Sequence, residues 1–238
     1  MLRVVKEKLD GKELILGLCV FAIAWMLLVI CVCPIPWYNS ITSVPCESNA
    51  SIDVKKVFTV TLWRYHSCSQ DPLDCTSVCE NKSWNEVWKL GCGGIGPQGD
   101  TVYCYDFDVS GEMTASFLIL GICISAFIFP LSIIRKFNIK IKFVTPLRIG
   151  KVCLTLLAFC WSCMLMSWIW YPYIADASVW EDQNDGNIHL SYGWYILMVD
   201  IVIFFFAIII FIFDYTHLSN RLDYDNLNDD ITDNNTTF

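Results

Sequence analysis

Residues Leu14–Cys33, LILGLCVFAIAWMLLVICVC, contain no Asp, Glu, Lys or Arg and stop at Pro34 and Pro36. A helix rises ~1.5 Å per residue, so about 20 such residues cross a hydrocarbon core of ~30 Å. Three further runs repeat the pattern. Met113–Ile134 is uncharged around Pro130, Val152–Tyr171 is uncharged and rich in Cys and Trp, and Gly193–Phe213 carries one charge, Asp200. None alternates as lipid-facing strands would, so helices are expected rather than a barrel. The 238 residues are 55% hydrophobic and 17% charged, with mean hydropathy +0.48. Soluble domains carry nearer ~25% charge. One membrane domain follows. Its first run exceeds the ~7–15-residue apolar region of a cleaved signal peptide and lacks a small-x-small site after it, so a retained anchor is expected. Gly17, Ala22 and Gly121 would let the helices approach closely.

Charge sets the expected orientation. The loop between the second and third runs carries Arg135, Lys136, Lys140, Lys142, Arg148 and Lys151 without an acid, and Arg3, Lys6, Lys8 and Lys12 precede the first run. Positive residues near span ends favour the cytoplasmic side. Two segments that must share a side in a four-span chain therefore agree. The expected layout is a cytoplasmic N-terminus (1–13), a membrane domain (14–213) with an extracellular loop (37–112), and a cytoplasmic acidic, disordered tail (214–238). The expected location is the plasma membrane. Net charge is -8, and no basic face exists outside the juxtamembrane loop, so no nucleic-acid partner is expected. That loop could touch anionic lipid headgroups.

The 13 cysteines divide by this topology. Cys46, Cys68, Cys75, Cys79, Cys92 and Cys104 lie in the large loop. The others, Cys19, Cys31, Cys33, Cys123, Cys153, Cys160 and Cys163, lie in or beside the spans. An even set in an oxidising compartment reads as disulfides. Cys68 with Cys75 or Cys79 would close a hairpin. Zinc is disfavoured, because Cys75-x3-Cys79 has no paired His or second close Cys pair. Asn49-Ala50-Ser51 and Asn81-Lys82-Ser83 are glycosylation sequons on the same side.

Within this loop, Val57–Trp63 mixes β-branched and aromatic residues and reads as a strand. A glycine-rich turn follows at residues 91–99, then a second expected strand, Thr101–Phe107. Trp37 and Tyr38 suit a membrane–water interface. The expected fold is an all-α membrane bundle of four transmembrane helices with a small disulfide-bonded extracellular β-sheet between helices one and two.

Thr61-Leu62-Trp63-Arg64-Tyr65-His66-Ser67-Cys68 resembles the signature of the amastin surface glycoproteins, a Thr-Leu-Trp run followed by a base and a cysteine. Tyr192-Gly193-Trp194-Tyr195 also looks amastin-like. Trp37, Leu62, Trp63, Cys68 and Cys75 follow the broader claudin-like four-span pattern. Arg64 stands where the signature has glycine, His66 where it has a longer base, and no cysteine precedes the run. The resemblance implies a non-enzymatic surface protein that acts through its outer loop. It would make contact with lipid, with host or cell-surface partner proteins, or with further copies of itself. It implies no catalytic residues, cofactor or metal. Trp63 would then anchor the sheet on the bundle.

Two other features could carry chemistry. Asp200 sits inside a span, where a carboxylate is costly and usually functional. It could be a proton or cation site of a channel or transporter subunit, or a carboxyl hydrogen-bonded to Ser125, Ser162 or Ser167. Cys160-Trp161-Ser162-Cys163 could be the redox pair of a membrane thiol oxidoreductase. Its position in the middle of a Cys-rich span favours packing instead. His66, His189 and His217 are too few and too scattered for a haem pair or a His-rich metal site, and no hydrolase or phosphate-loop pattern is present. Trp161, Trp168, Trp170, Tyr171 and Tyr173 read as an interfacial belt.

Overall fold

Four helices are long and apolar enough to cross a membrane: Lys12–Val32, Asp108–Lys136, Pro146–Tyr173 and Tyr192–Arg221. They come from a computed structural model that describes residues 12–46, 49–70, 77–83, 86, 102–137, 145–179 and 188–235. The helices are α1 (Lys12–Val32), α2 (Val102–Ala126), α3 (Ile128–Lys136), α4 (Pro146–Val179) and α5 (Tyr192–Asn235).

Their ends follow from local chemistry. α1 stops just before Pro34 and Pro36, which have no N–H to donate. Its last turn tightens as the Cys33 N–H donates to Ile30 O at 3.0 Å. Pro130 cannot donate to the carbonyl four residues earlier and crowds it. The helix is therefore interrupted at Phe127, whose N–H reaches back only three residues to Ile124 O at 3.2 Å. α4 begins with proline, whose missing donor would be unpaired there anyway. Thr145 caps it by accepting the Arg148 N–H on Oγ1 at 3.3 Å.

One expectation on the helices needs correction. Residues from Val102 onward are helical, not the strand expected at Thr101–Phe107. Their β-branched and aromatic side chains favour strands only weakly. Extending a helix from the adjoining span also avoids the cost of a new nucleus. α5 runs on past Asp214 to Asn235.

The strands are β1 (Tyr38–Cys46), β2 (Asn49–Val60), β3 (Arg64–Gln70), β4 (Ser77–Ser83) and β5 (Ile188–Leu190). They form one antiparallel sheet in the order β4-β3-β2-β1-β5. The sheet is thus not confined to the segment between the first two spans, because β5 comes from between α4 and α5. The strand expected at Val57–Trp63 starts earlier and ends at Val60. Thr61, Leu62 and Trp63 make the turn into β3.

The chain divides into two compact units, and α1, α2, α4 and α5 each contribute to both. The first comprises Met1–Met26, Gly121–Ser162 and Ile201–Phe238. Its core is aromatic. Phe21 meets Phe129 at 4.9 Å and Phe204 at 5.6 Å between ring centroids. Gly17 permits close packing, since a Cβ there would lie 3.2 Å from both Ile210 and Phe211. The Cys160 thiol donates to Gly121 O at 3.4 Å. Arg135 forms an ion pair with Asp214 at 2.5 Å, and both side chains are largely buried. Gly150 leaves room for the Tyr215 ring, which a Cβ there would approach to 3.0 Å, and it lies beside the guanidinium, where a Cβ would make an ordinary contact at 3.4 Å from Arg135 Nη1. The second unit comprises Leu27–Leu120 and Cys163–Asp200, and it contains the whole sheet.

Candidate functional site

The site lies in the sheet-bearing unit and is built around two tryptophans with opposite roles. Trp37 is fully buried, with 0% exposure, so it is not the interfacial residue its position suggested. Its N–H donates to Val60 O at 2.8 Å, and its carbonyl accepts the Ser191 N–H at 2.8 Å. The Gly193 N–H donates to Pro36 O at 2.8 Å. One residue therefore ties together the end of α1, the end of β2 and the start of α5. The indole packs on Tyr171 at 4.7 Å. It fills a slot that only glycine leaves open, since a Cβ on Gly193 would lie 2.6 Å from Trp37 Nε1.

Trp63 is 40% exposed. Its indole N–H donates to Val32 O at 2.6 Å, and Val32 ends α1, where carbonyls lack a partner within the helix. Trp63 thus connects the sheet to α1 by a cap, while the neighbouring Leu62 is buried. Leu62 is 1% exposed, and a Cβ on Gly111 would lie 3.0 Å from Leu62 O. Thr61 shapes the turn. Its hydroxyl oxygen accepts the N–H groups of Trp63 at 3.2 Å and Arg64 at 2.8 Å, and the hydroxyl donates to Arg64 O at 3.0 Å. Each residue of the Thr-Leu-Trp run therefore has a separate physical task. Thr61→Ala should lower stability by about 1 kcal/mol, the usual net value of such a bond. Chemical unfolding in mild detergent measures it.

An open cleft of about 690 Å³ is lined by Pro34, Pro36, Thr59, Thr61, Trp63, Arg64, His66 and Asn81. Beside it, Cys68 of β3 and Cys79 of β4 are directly opposed and form a disulfide. Of the two pairings open in the sequence, the structure contains Cys68–Cys79. His66 Nε2 lies 3.4 Å from Cys68 Sγ. His66, Cys68 and Cys79 bring their ligand atoms within 4.8 Å of one another. Metal binding by the sulfurs would need thiolates, which the disulfide does not provide. Asn81 is exposed on β4. Cys75 and Cys92 lie outside the described residues, as do the side chains of Cys46, Cys104 and Asn49.

The aromatic group at the end of α4 splits between two roles. Trp170 and Tyr173 are exposed, whereas Tyr171 is buried on Trp37. Trp168 stacks on Trp194 at 5.2 Å and accepts its indole N–H on the backbone carbonyl at 3.2 Å.

Asp200 is 0% exposed, and neither carboxylate oxygen has a hydrogen-bond partner among the described residues. The serines expected to serve it are engaged elsewhere. Ser125 donates to Ile122 O, Ser162 to Ala158 O, and Ser167 to Cys163 O. An unpartnered buried polar group costs about 1–3 kcal/mol. Asp200→Leu should therefore stabilise the protein toward unfolding in detergent, and a lower midpoint would show that the carboxyl is held by a structural partner. Cys160 and Cys163 are buried, and neither is in a disulfide.

Sequence reasoning missed Arg135, which it counted as a loop charge. Its one signal was a base and an acid, Arg135 and Asp214, each placed just beyond an apolar run. Neither a protein-family model nor a curated protein matches the chain.

Proposed function

We propose that this chain is a non-enzymatic surface membrane protein of the amastin/claudin-like kind, acting through contact of its sheet with lipid or partner proteins outside the cell. The observation that carries this reading is the Trp63–Arg64 corner. An exposed indole and a cation line a cleft on a sheet that is tied to α1 and α5 through Trp37 and Trp63. An aromatic ring beside a guanidinium is the combination enriched where proteins recognise one another. The termini are assigned to the cytoplasm. The buried ion pair removes Arg135 from the positive-inside argument, but Lys136, Lys140, Lys142, Arg148 and Lys151 still carry it. The sheet and Asn81 then face outside, and Asn81→Gln should remove a glycan visible as a mobility shift.

Contact itself is tested by placing a photoreactive amino acid at position 63 or 64 of the full chain in cells. These positions should capture a lipid or protein that the same group at the exposed position 217 does not. Identical adducts from both places would count against the reading. A second reading, a channel or transporter subunit, draws on the buried, unpartnered carboxyl of Asp200. It requires flux through reconstituted vesicles that Asp200→Asn abolishes.

A further inference from the structure

The two sulfurs of the Cys68–Cys79 disulfide are unequal. Cys79 is exposed and Cys68 is half-buried, and His66 Nε2 lies 3.4 Å from Cys68 Sγ. Alternate residues of a strand share a face, so Arg64, His66 and Cys68 line one side of β3. Across the ladder, His66 pairs with Asn81 and Cys68 with Cys79. The disulfide therefore continues the row that forms one wall of the cleft. That cleft offers the Arg64 cation, polar groups on Thr59 and Asn81, and apolar surface on Trp63, Pro34 and Pro36.

We propose that Cys68–Cys79 is a thiol-exchange site for a small thiol that carries a carboxylate. The small thiol loses its proton to water, and its thiolate attacks Sγ of the exposed residue Cys79. A new sulfur–sulfur bond forms between the small molecule and Cys79. The Cys68–Cys79 bond breaks, and its electron pair leaves on Cys68 Sγ. His66, in the tautomer with the proton on Nε2, donates a hydrogen bond to that thiolate. Exchange is faster when the leaving sulfur is stabilised as a thiolate. One disulfide replaces another, so no net oxidant or reductant is needed. Arg64 holds the carboxylate by a charge-assisted hydrogen bond. The inference does not depend on the contact reading, because it concerns reactivity at the sulfurs alone.

The test uses the full chain in detergent micelles with reduced glutathione, and with 2-mercaptoethanol as a neutral thiol. N-ethylmaleimide quenches the reaction, and peptide masses locate both modifications. The expected product carries glutathione on Cys79 and maleimide on Cys68. His66→Asn should slow its formation about tenfold through the poorer leaving group, and Arg64→Gln should remove the preference for glutathione over the neutral thiol. Glutathione on Cys68, an inert disulfide at millimolar glutathione, or an unchanged rate in His66→Asn would each overturn the proposal. If His66→Asn does not fold, the site of the adduct in the parent chain decides alone.

Discussion

Gly193→Ala should destabilise the sheet-bearing unit by about 1–3 kcal/mol, the usual cost of forcing extra atoms into a packed core. The new Cβ would lie 2.6 Å from Trp37 Nε1 and 2.7 Å from Cδ1, well inside any normal contact. The indole cannot simply rotate away, because its backbone is fixed to Val60 and Ser191 and its ring lies on Tyr171. Alanine also favours a helix over glycine by at most ~1 kcal/mol, and Gly193 is in the first turn of α5, so the clash should dominate. Trp37→Ala should cost about 3–5 kcal/mol by emptying the slot. Combining Trp37→Ala with Gly193→Ala should cost less than the sum of the two, since neighbours in contact couple by about 0.5–3 kcal/mol. Denaturant midpoints in mild detergent measure all three. Strict additivity would mean that the indole and the glycine do not share a slot.

Arg135→Ala should cost about 3–5 kcal/mol, because it leaves the Asp214 carboxylate buried and unpaired. The pair lies at 2.5 Å with little solvent access, so solvent screening does not reduce this cost as it would at a surface. Replacing both partners with apolar residues, Arg135→Met with Asp214→Leu, should recover most of the loss, since breaking a buried pair costs more than deleting it. The exchange Arg135→Asp with Asp214→Arg should recover less, because it moves the guanidinium away from its present place beside Gly150. Yield of folded protein and the unfolding midpoint report the order. If Arg135→Ala is as stable as the parent, the pair does not hold α3 to α5.

The four helices were legible because an uncharged run of this length has few alternatives to crossing a membrane. The end of β2 and the hairpin around Cys68 were legible from β-branched residues and cysteine spacing, whereas the same residue types misled at Thr101–Phe107, where the chain is helical from Val102. Choosing Cys79 over Cys75 needed the register that sets Cys68 directly opposite Cys79. Trp37 was misread because a tryptophan just past a span suits an interface equally well. Only the approach of Gly193, far away in sequence, shows that it is enclosed. The short strand Ile188–Leu190 carries too few residues for a periodic signal, and it exists because β1 offers an edge for it to pair with. The Thr-Leu-Trp run was noticed as a motif, but its division of labour among turn, core and helix cap depends on hydrogen bonds that spacing does not encode.

The contact reading is tested most directly with vesicles reconstituted with the full chain and scored in parallel for association with acceptor membranes and for ion flux. The prediction is association without flux, reduced about tenfold or more when the exposed aromatic–cation corner is removed by Trp63→Ala with Arg64→Ala, as expected of a contact hot spot, and unchanged by Asp200→Asn. Flux that Asp200→Asn abolishes, with association indifferent to the changes at positions 63 and 64, would contradict it.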